Sequence, residues 1–387
     1  MKIVHPSEIA SFDSWAVDFR RKLHQHPEIS GFEKETKDRI VQELSLLGCS
    51  IETFDNHHGV MAVFKNGEGK CIAVRADMDA LPIQEDTGLP FASVNPGVMH
   101  ACGHDVHMAL AMGSARYLDA HRDAWHGEVR FLFEPQEETV GGAKYMRDAG
   151  CMDHVDCIIG QHVNPSYPAG TFFCRPGYVS GASDEVEISV HGKSCHGAYP
   201  DRGIDSILIA SHIVTAIQSV ISRHISPFDA AVLTLGTIHG GKAKNIVCDQ
   251  VNLGGTLRTL SEATRADLHE QILQICNSTA AAFGGTADVK IVPGYGAVYN
   301  SDRYYPVIEK VAAQVFGEEH MVMRQNPSLG VESMFYFMEH TDGVYYDIGS
   351  GVSTALHTPT LMIDEECIRS GLCMQLSCIL TLLEETI

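Results

Sequence analysis

The sequence predicts an α/β fold: a mainly parallel, doubly covered sheet that carries an inserted ferredoxin-like α+β domain. Three observations predict it. Apolar runs without alternation at 129–133 and 157–160 read as strands buried on both faces, and such strands alternate with helical stretches. Polar clusters follow these strands directly, at Arg75 to Asp79, at Glu134 to Glu138 and at Gln161 and His162. Open α/β sheets bind ligands there, beyond the carboxyl ends of their strands. From about residue 183 the rhythm changes to half-exposed, alternating strands in the order strand, helix, strand, strand, helix, strand. That is the ferredoxin-like pattern, read with one strand of the full order merged or hidden.

Each element has its own local reason. Ile9, Phe12, Trp15, Ala16, Phe19 and Leu23 recur three or four apart and line one helix face. Ile40, Val41, Leu44 and Leu47 do the same before Gly48, a helix stop. Strands follow at 60–64 and 71–74, joined by a glycine-bearing turn at 66–69. A polar loop covers 77–97, and a helix runs from about 104 to 118. In the insert, strands fall at 185–190, 231–238, 251–258 and 287–292, with helices at 204–221 and 265–283. A helix at 305–316, a strand at 344–348 and a last helix from about 365 return the chain to the first domain. The expected division is 1–180, an insert at 181–292, and 293–387.

At 387 residues the chain holds two or three domains' worth of material, taking roughly 150 residues for each. Hydrophobic residues at 44% supply an ample core, which excludes a disordered chain. Lys and Arg number 28 against 49 Asp and Glu, a net charge of −21 that repels phosphate backbones and anionic lipid. No nucleic-acid or membrane partner is expected. Asp13, Asp18, Arg20 and Arg21 break any leader-like apolar stretch, and no run of about 18 apolar residues predicts a membrane span. The 12 cysteines contain no CxxC pair and read as reduced thiols, so a cytoplasmic location is expected.

The 21 histidines invite a search for metal or proton chemistry. The densest feature is Met99-His100-Ala101-Cys102-Gly103-His104-Asp105-Val106-His107. A thiolate and an imidazole two residues apart at the mouth of a helix can face one ion; such ligands suit zinc, and added carboxylates widen the choice toward manganese. With so many cysteines and histidines, chance proximity is the competing explanation. The second feature is Glu137-Glu138 after the buried strand. One carboxylate can bind metal while its neighbour handles a proton, although a solvated acidic turn reads the same way. His162 and His357 are single histidines, which in isolation are more often hydrogen-bonded than metal-bound.

Taken in order, these features resemble the dimetal aminoacylase and carboxypeptidase family, in its hippurate-hydrolase and indoleacetyl-amino-acid-hydrolase branch. The matches run along nearly the whole chain: Arg21-Lys22-Leu23-His24 with His26-Pro27-Glu28, Arg75 to Pro82, His100 to Asp105, Glu137-Glu138, Gly192 to Pro200 around His196, and Leu356-His357-Thr358-Pro359. The resemblance implies that Cys102, His104, Glu138, His162 and His357 hold one or two divalent ions (manganese, zinc, cobalt or nickel), with Glu137 as general base. It places Asp77, Asp79 and Asp105 where they orient ligands, Asp105 having helix capping as its alternative role. His107 is left structural. In dimers, the family's match to His196 reaches across to the partner's active site and steadies the oxyanion, and Asn245 and Arg258 match positions near the substrate carboxylate or oxyanion. A guanidinium clamps a carboxylate bidentately, while a surface ion pair is the plain alternative for Arg258.

The implied activity is metal-dependent hydrolysis of an N-acyl amino acid by a homodimer or higher homo-oligomer, the insert serving as lid and dimer surface. Dipeptide cleavage as by a dipeptidase or carboxypeptidase, and N-acetyl-diaminopimelate deacetylation, remain open alternatives, as does a silent relative that binds a metal or conjugate without turnover. Three places depart from the family pattern: Glu134-Pro135-Gln136 stands for Gln-Pro-Ala, Cys248 for a proline, and Glu332-Ser333-Met334 for Glu-Asp-Phe. None removes a ligand or the base.

Overall fold

The computed structural model describes residues 1–139, 141–352 and 354–385. The chain forms two compact units, Met1–Val179 with Tyr299–Asn326 and Ser333–Ile387, and Ser180–Val298 with Pro327–Glu332.

The sheet of the first unit is built from β1 (Ser50–Thr53), β2 (Val60–Asn66), β3 (Cys71–Asp77), β4 (Gly127–Glu134), β5 (Cys157–Asn164), β6 (Phe172–Cys174), β7 (Met321–Met323) and β8 (Gly343–Gly349). Their order is β1-β2-β4-β3-β5-β8-β6-β7. The centre is parallel, β3 pairing with β4 and β5, and β5 with β8. β1, β2 and the β6–β8 contact are antiparallel. Every residue of β3 is buried, Arg75 and Asp77 included, so both of its faces are covered. β2 and β3 follow each other in sequence, yet β4 lies between them, antiparallel to β2 and parallel to β3, and the parallel pair needs a long crossover. The helix α3 (His104–Ala120) lies within that connection. It packs on α1 (Pro6–Gln25) and on the C-terminal helix Glu366–Glu384.

Some elements differ from expectation. β5 runs on to Asn164, paired with β8 up to Gly349, so His162 lies within the strand rather than just after it. Its half-buried side chain ends the apolar run early. The strands β1, β6 and β7 and the helices Gly142–Asp148 and Met334–Met338 are too short to show a period.

The second unit has its own core around Val186, Ile188, Ile213, Leu257 and Ile272. Its four strands lie in the order Ala231–Gly240, Gln250–Thr259, Ala182–His191, Thr286–Pro293, all antiparallel. The helices Ser206–Ser219 and Glu262–Ala282 pack together on the sheet. These four strands and two helices complete the ferredoxin-like order, so no strand is merged or hidden. Asp205 and Ser261 start the helices by accepting backbone N–H groups. The unit retains Pro327–Glu332 because Gly181 N–H donates to Gly330 O at 2.9 Å.

All twelve cysteines are unbonded thiols. Two helical stretches, Ser206–His224 and Glu366–Glu384, are long and apolar enough to cross a membrane, where the sequence predicted none. Side chains of the first, such as Ile209, Ile213 and Ile217, sit in the core of the second unit. The second stretch is mostly buried in the core of the first.

Candidate metal centre and active site

The carboxyl ends of β3, β4 and β5 bring five candidate ligands together in the first unit. Cys102 and His104 flank Gly103, whose φ is 87° and whose added Cβ would lie 2.3 Å from Val163 Cγ2. Only glycine lets α3 begin this close to β5. Cys102 Sγ lies 3.5 Å from His162 Nε2 and 3.3 Å from His357 Nε2. His357 Nε2 lies 3.1 Å from Glu138 Oε1, and His104 Nε2 lies 4.0 Å from the same oxygen. Among the described residues four donor sets have all their ligand atoms within 4.8 Å of one another: Cys102/His104/His162, Cys102/Glu138/His357, His104/Glu137/Glu138 and, deeper, Asp77/His104/His107. Cys102 belongs to two of these sets and Glu138 to two, a spacing that accommodates one ion or two.

Two non-glycine residues with left-handed backbone lie at this cluster, His357 with φ 60° and Gln136 with φ 59°. Such conformations cost free energy and persist where the surroundings impose them. His357 is held by its N–H donating to Ala101 O at 2.7 Å.

The histidines are oriented for metal. His104 Nδ1 donates to Asp79 O at 2.8 Å, and His162 Nδ1 donates to Val163 O at 2.7 Å. Each bond leaves the Nε2 lone pair toward the cluster. His104 Nε2 is buried with no hydrogen-bond partner, its nearest carboxylate oxygen being Asp77 Oδ2 at 3.5 Å. An imidazole lone pair buried among carboxylates and a thiol fits a divalent cation. Burial pushes the Cys102 thiol up, so cation binding there must expel the thiol proton. Burial also opposes ionisation of Glu138, but the hydrogen-bonding contact with His357 holds its carboxyl below the ordinary range.

Asp77 and Asp79 support these groups. Asp77 Oδ1 accepts from His107 Nδ1 at 2.6 Å, and Oδ2 pairs with Arg75 Nη1 at 2.7 Å. Against the effect of burial, Arg75 and the neighbouring His104 and His107 hold Asp77 well below the usual carboxylate range. Asp79 Oδ2 accepts from Ser30 Oγ at 2.6 Å and from Glu138 N–H at 3.1 Å. His107 has a role that the sequence did not reveal: its Nε2 accepts Val163 N–H at 3.0 Å, so it bridges Asp77 to the strand that carries His162. With both nitrogens committed, it is a support rather than a ligand. Its only signal was its place one helical turn after His104.

Asp105 departs from expectation. It neither caps α3 nor touches a candidate ligand; its Oδ2 pairs with Arg20 Nε at 2.7 Å and His24 Nδ1 at 2.8 Å. Arg20 and His24 come from α1, which packs on α3, and Glu85 meets His24 from the other side at 3.3 Å.

His196, Asn245 and Arg258 lie in the second unit. His196 pairs with Ile246 in a short ladder, next to Asn245, whose carbonyl accepts Gly197 N–H at 2.8 Å. His196 is exposed, and its Nδ1 accepts Ala198 N–H at 3.0 Å, which leaves Nε2 as the donor of the neutral ring. Arg258 is half-buried on the strand Gln250–Thr259, opposite Ser183 and Val232.

A doubly covered sheet with a thiol, imidazole and carboxylate cluster at its strand ends has the donor set of a metal-dependent hydrolase. Comparison with known proteins agrees. The model of the peptidase family M20/M25/M40 matches residues 73–381, and the chain belongs to this family. It is 35% identical over 365 residues to the N-acetyl-L-cysteine deacetylase of Bacillus subtilis, covering 94% of this chain and 87% of that one. It is 34% identical over 379 residues to an ILR1-like IAA-amino acid hydrolase of Arabidopsis thaliana, covering 96% and 86%. Among solved structures, a dinuclear metal-binding M20 peptidase of Bacillus subtilis superposes with a TM-score of 0.85 at 32% identity, covering 97% and 100%. The chain is thus a metal-dependent hydrolase of amide bonds.

Proposed function

We propose that the protein hydrolyses N-acyl amino acids to a carboxylic acid and a free amino acid, with Glu137 as its general base. The observation that carries this is the pair of adjacent carboxylates on one turn. Glu138 faces Cys102 and His357, while a Glu137 oxygen lies within 4.8 Å of the ligand atoms of His104 and Glu138. When bound by Cys102, His104, Glu138, His162 and His357, one or two divalent ions supply a Lewis acid that makes water more acidic and the amide carbonyl more electrophilic.

Glu137 takes the proton of the attacking water and passes it to the leaving nitrogen, so the tetrahedral adduct collapses to acid and amine. The Ser333 N–H, 3.4 Å from Glu137 Oε1, helps aim the carboxylate. The His196 Nε2–H, from the partner subunit of a homodimer, donates to the oxyanion. Arg258 holds the amino acid's carboxylate, and Asn245 hydrogen-bonds beside it. The twelve unbonded thiols support a reducing, cytoplasmic setting. N-acyl amino acids come first because the deacetylase and the IAA-amino acid hydrolase are relatives. Dipeptides are the second reading, supported by the family description and the solved peptidase.

The test is amino-acid release from N-acetyl, N-benzoyl and dipeptide substrates. Protein stripped by a chelator is assayed before and after addition of manganese or zinc, beside Glu137→Gln. Release that returns with metal and is absent in Glu137→Gln is the expected result. Folded, metal-loaded protein that releases nothing from any substrate would overturn the reading in favour of a silent binding relative.

A further inference from the structure

We propose that Glu33 is a positioning residue that aims Glu137, by accepting the backbone N–H of Gln136 and so holding the turn that carries the base. The inference rests on the reading of Glu137 as base. Glu33 is fully buried at the start of α2 (Lys34–Leu44), far from Glu137 in sequence. Its Oε1 accepts Gln136 N–H at 2.9 Å. Gln136 is the residue before Glu137 and has φ 59°, a conformation that a glutamine adopts only when held there. On the other side of Glu137, the Glu138 N–H is held by Asp79 Oδ2. Two carboxylates therefore grip the amides on either side of the base.

The segment before Glu33 reinforces this grip. Ser30 Oγ donates to the same Asp79 oxygen at 2.6 Å. Gly31, with φ 84°, runs so close to Gln136 that an added Cβ would lie 3.1 Å from its Nε2. The second oxygen of Glu33 is buried without a hydrogen-bond partner. The charged group that acts on the Glu33 carboxyl is Asp79, after β3. Burial, with Asp79 adding to it, pushes the Glu33 carboxyl up to about 7, so an uncharged acceptor suits the position. Glutamine should therefore replace it, whereas aspartate, one methylene shorter, withdraws the acceptor from Gln136.

The experiment compares Glu33→Gln, Glu33→Asp and Glu33→Ala with the parent by kcat, KM, thermal melting and binding of manganese alone. Expected are a kcat within about threefold for Glu33→Gln and a fall of roughly tenfold to a hundredfold for the other two, with KM and manganese affinity unchanged. Should Glu33→Ala fail to fold, Glu33→Asp and Glu33→Gln decide alone. A folded Glu33→Asp with full kcat would overturn the proposal, as would a loss of kcat matched by an equal loss of manganese affinity or not rescued by glutamine. Glu137→Gln, assayed in parallel, separates the two readings. If it is inactive while the Glu33 variants are fully active, only the positioning role fails; if it is active, the base reading fails and this one with it.

Discussion

The carboxylate of Glu134 lies 2.7 Å from Arg75 Nε, with both side chains wholly buried. The same guanidinium donates from Nη2 to Ser333 Oγ at 3.0 Å, and its Nη1 forms an ion pair with Asp77 Oδ2 at 2.7 Å. Positions 134 and 333 are two of the places where this chain departs from the pattern it resembles, which has glutamine at the first and an acid at the second. Both exchanges meet on Arg75. This chain carries its acid at 134 rather than at 333, and the buried guanidinium faces two carboxylates, Asp77 and Glu134.

This relationship predicts coupling. Glu134→Gln alone should destabilise folding by about 3 kcal/mol, because it strips a partner from a buried charge. Adding Ser333→Asp should return at least about 1 kcal/mol of that loss. Urea unfolding of the two single variants and the double variant measures the cycle. Strictly additive effects would show that Arg75 does not link the two positions.

Glu33 gives stability a slope in pH. Its carboxyl is pushed up from 4.5 to about 7 by burial and by Asp79. A raised value means that folding favours the protonated form, so this stabilisation is complete below 4.5 and is lost as pH rises through 7. The loss amounts to at most about 3 kcal/mol. Glu33→Gln has no proton to lose, so the unfolding free energy of the parent minus that of the variant should fall between pH 4.5 and pH 8. Urea melts of both proteins across this range check it, and a constant difference would refute it.

The parts of the site visible in the sequence are local ones. Cys102 and His104 declare themselves by two-residue spacing at a helix start, and Glu137 with Glu138 by adjacency after a buried strand. Glu33, Arg75, Ser333 and His107 act through contacts made when β3, β4 and β5 come side by side, so no short window contains them with their partners. The misreading of Asp105 has the same origin. The resemblance implies that Asp105 orients ligands, with capping as its alternative, and only the packing of α1 on α3 brings Arg20 and His24 to it. The ferredoxin-like order was legible because its strands are eight to ten residues long and alternate, whereas the three-residue strands β6 and β7 carry too little pattern.

Arg258 yields the sharpest statement about substrate. It is half-buried on its strand, and its side chain forms no ion pair or hydrogen bond among the described residues, so the surface ion pair that competes with a binding role is not made there. A partly desolvated guanidinium is best satisfied by a bidentate carboxylate, which the amino-acid half of an N-acyl amino acid provides. Lysine keeps the charge but not the planar fork. Arg258→Lys should therefore raise KM for an N-acetyl amino acid by roughly tenfold to a hundredfold, the equivalent of a charged hydrogen bond, with kcat within about threefold. For the methyl ester of the same substrate, which has no carboxylate to clamp, parent and variant should have similar KM values. Since no partner in the fold is lost, the melting temperature should not move. An equal rise in KM for acid and ester would place Arg258 outside carboxylate recognition, and a fall in melting temperature would return it to a structural role.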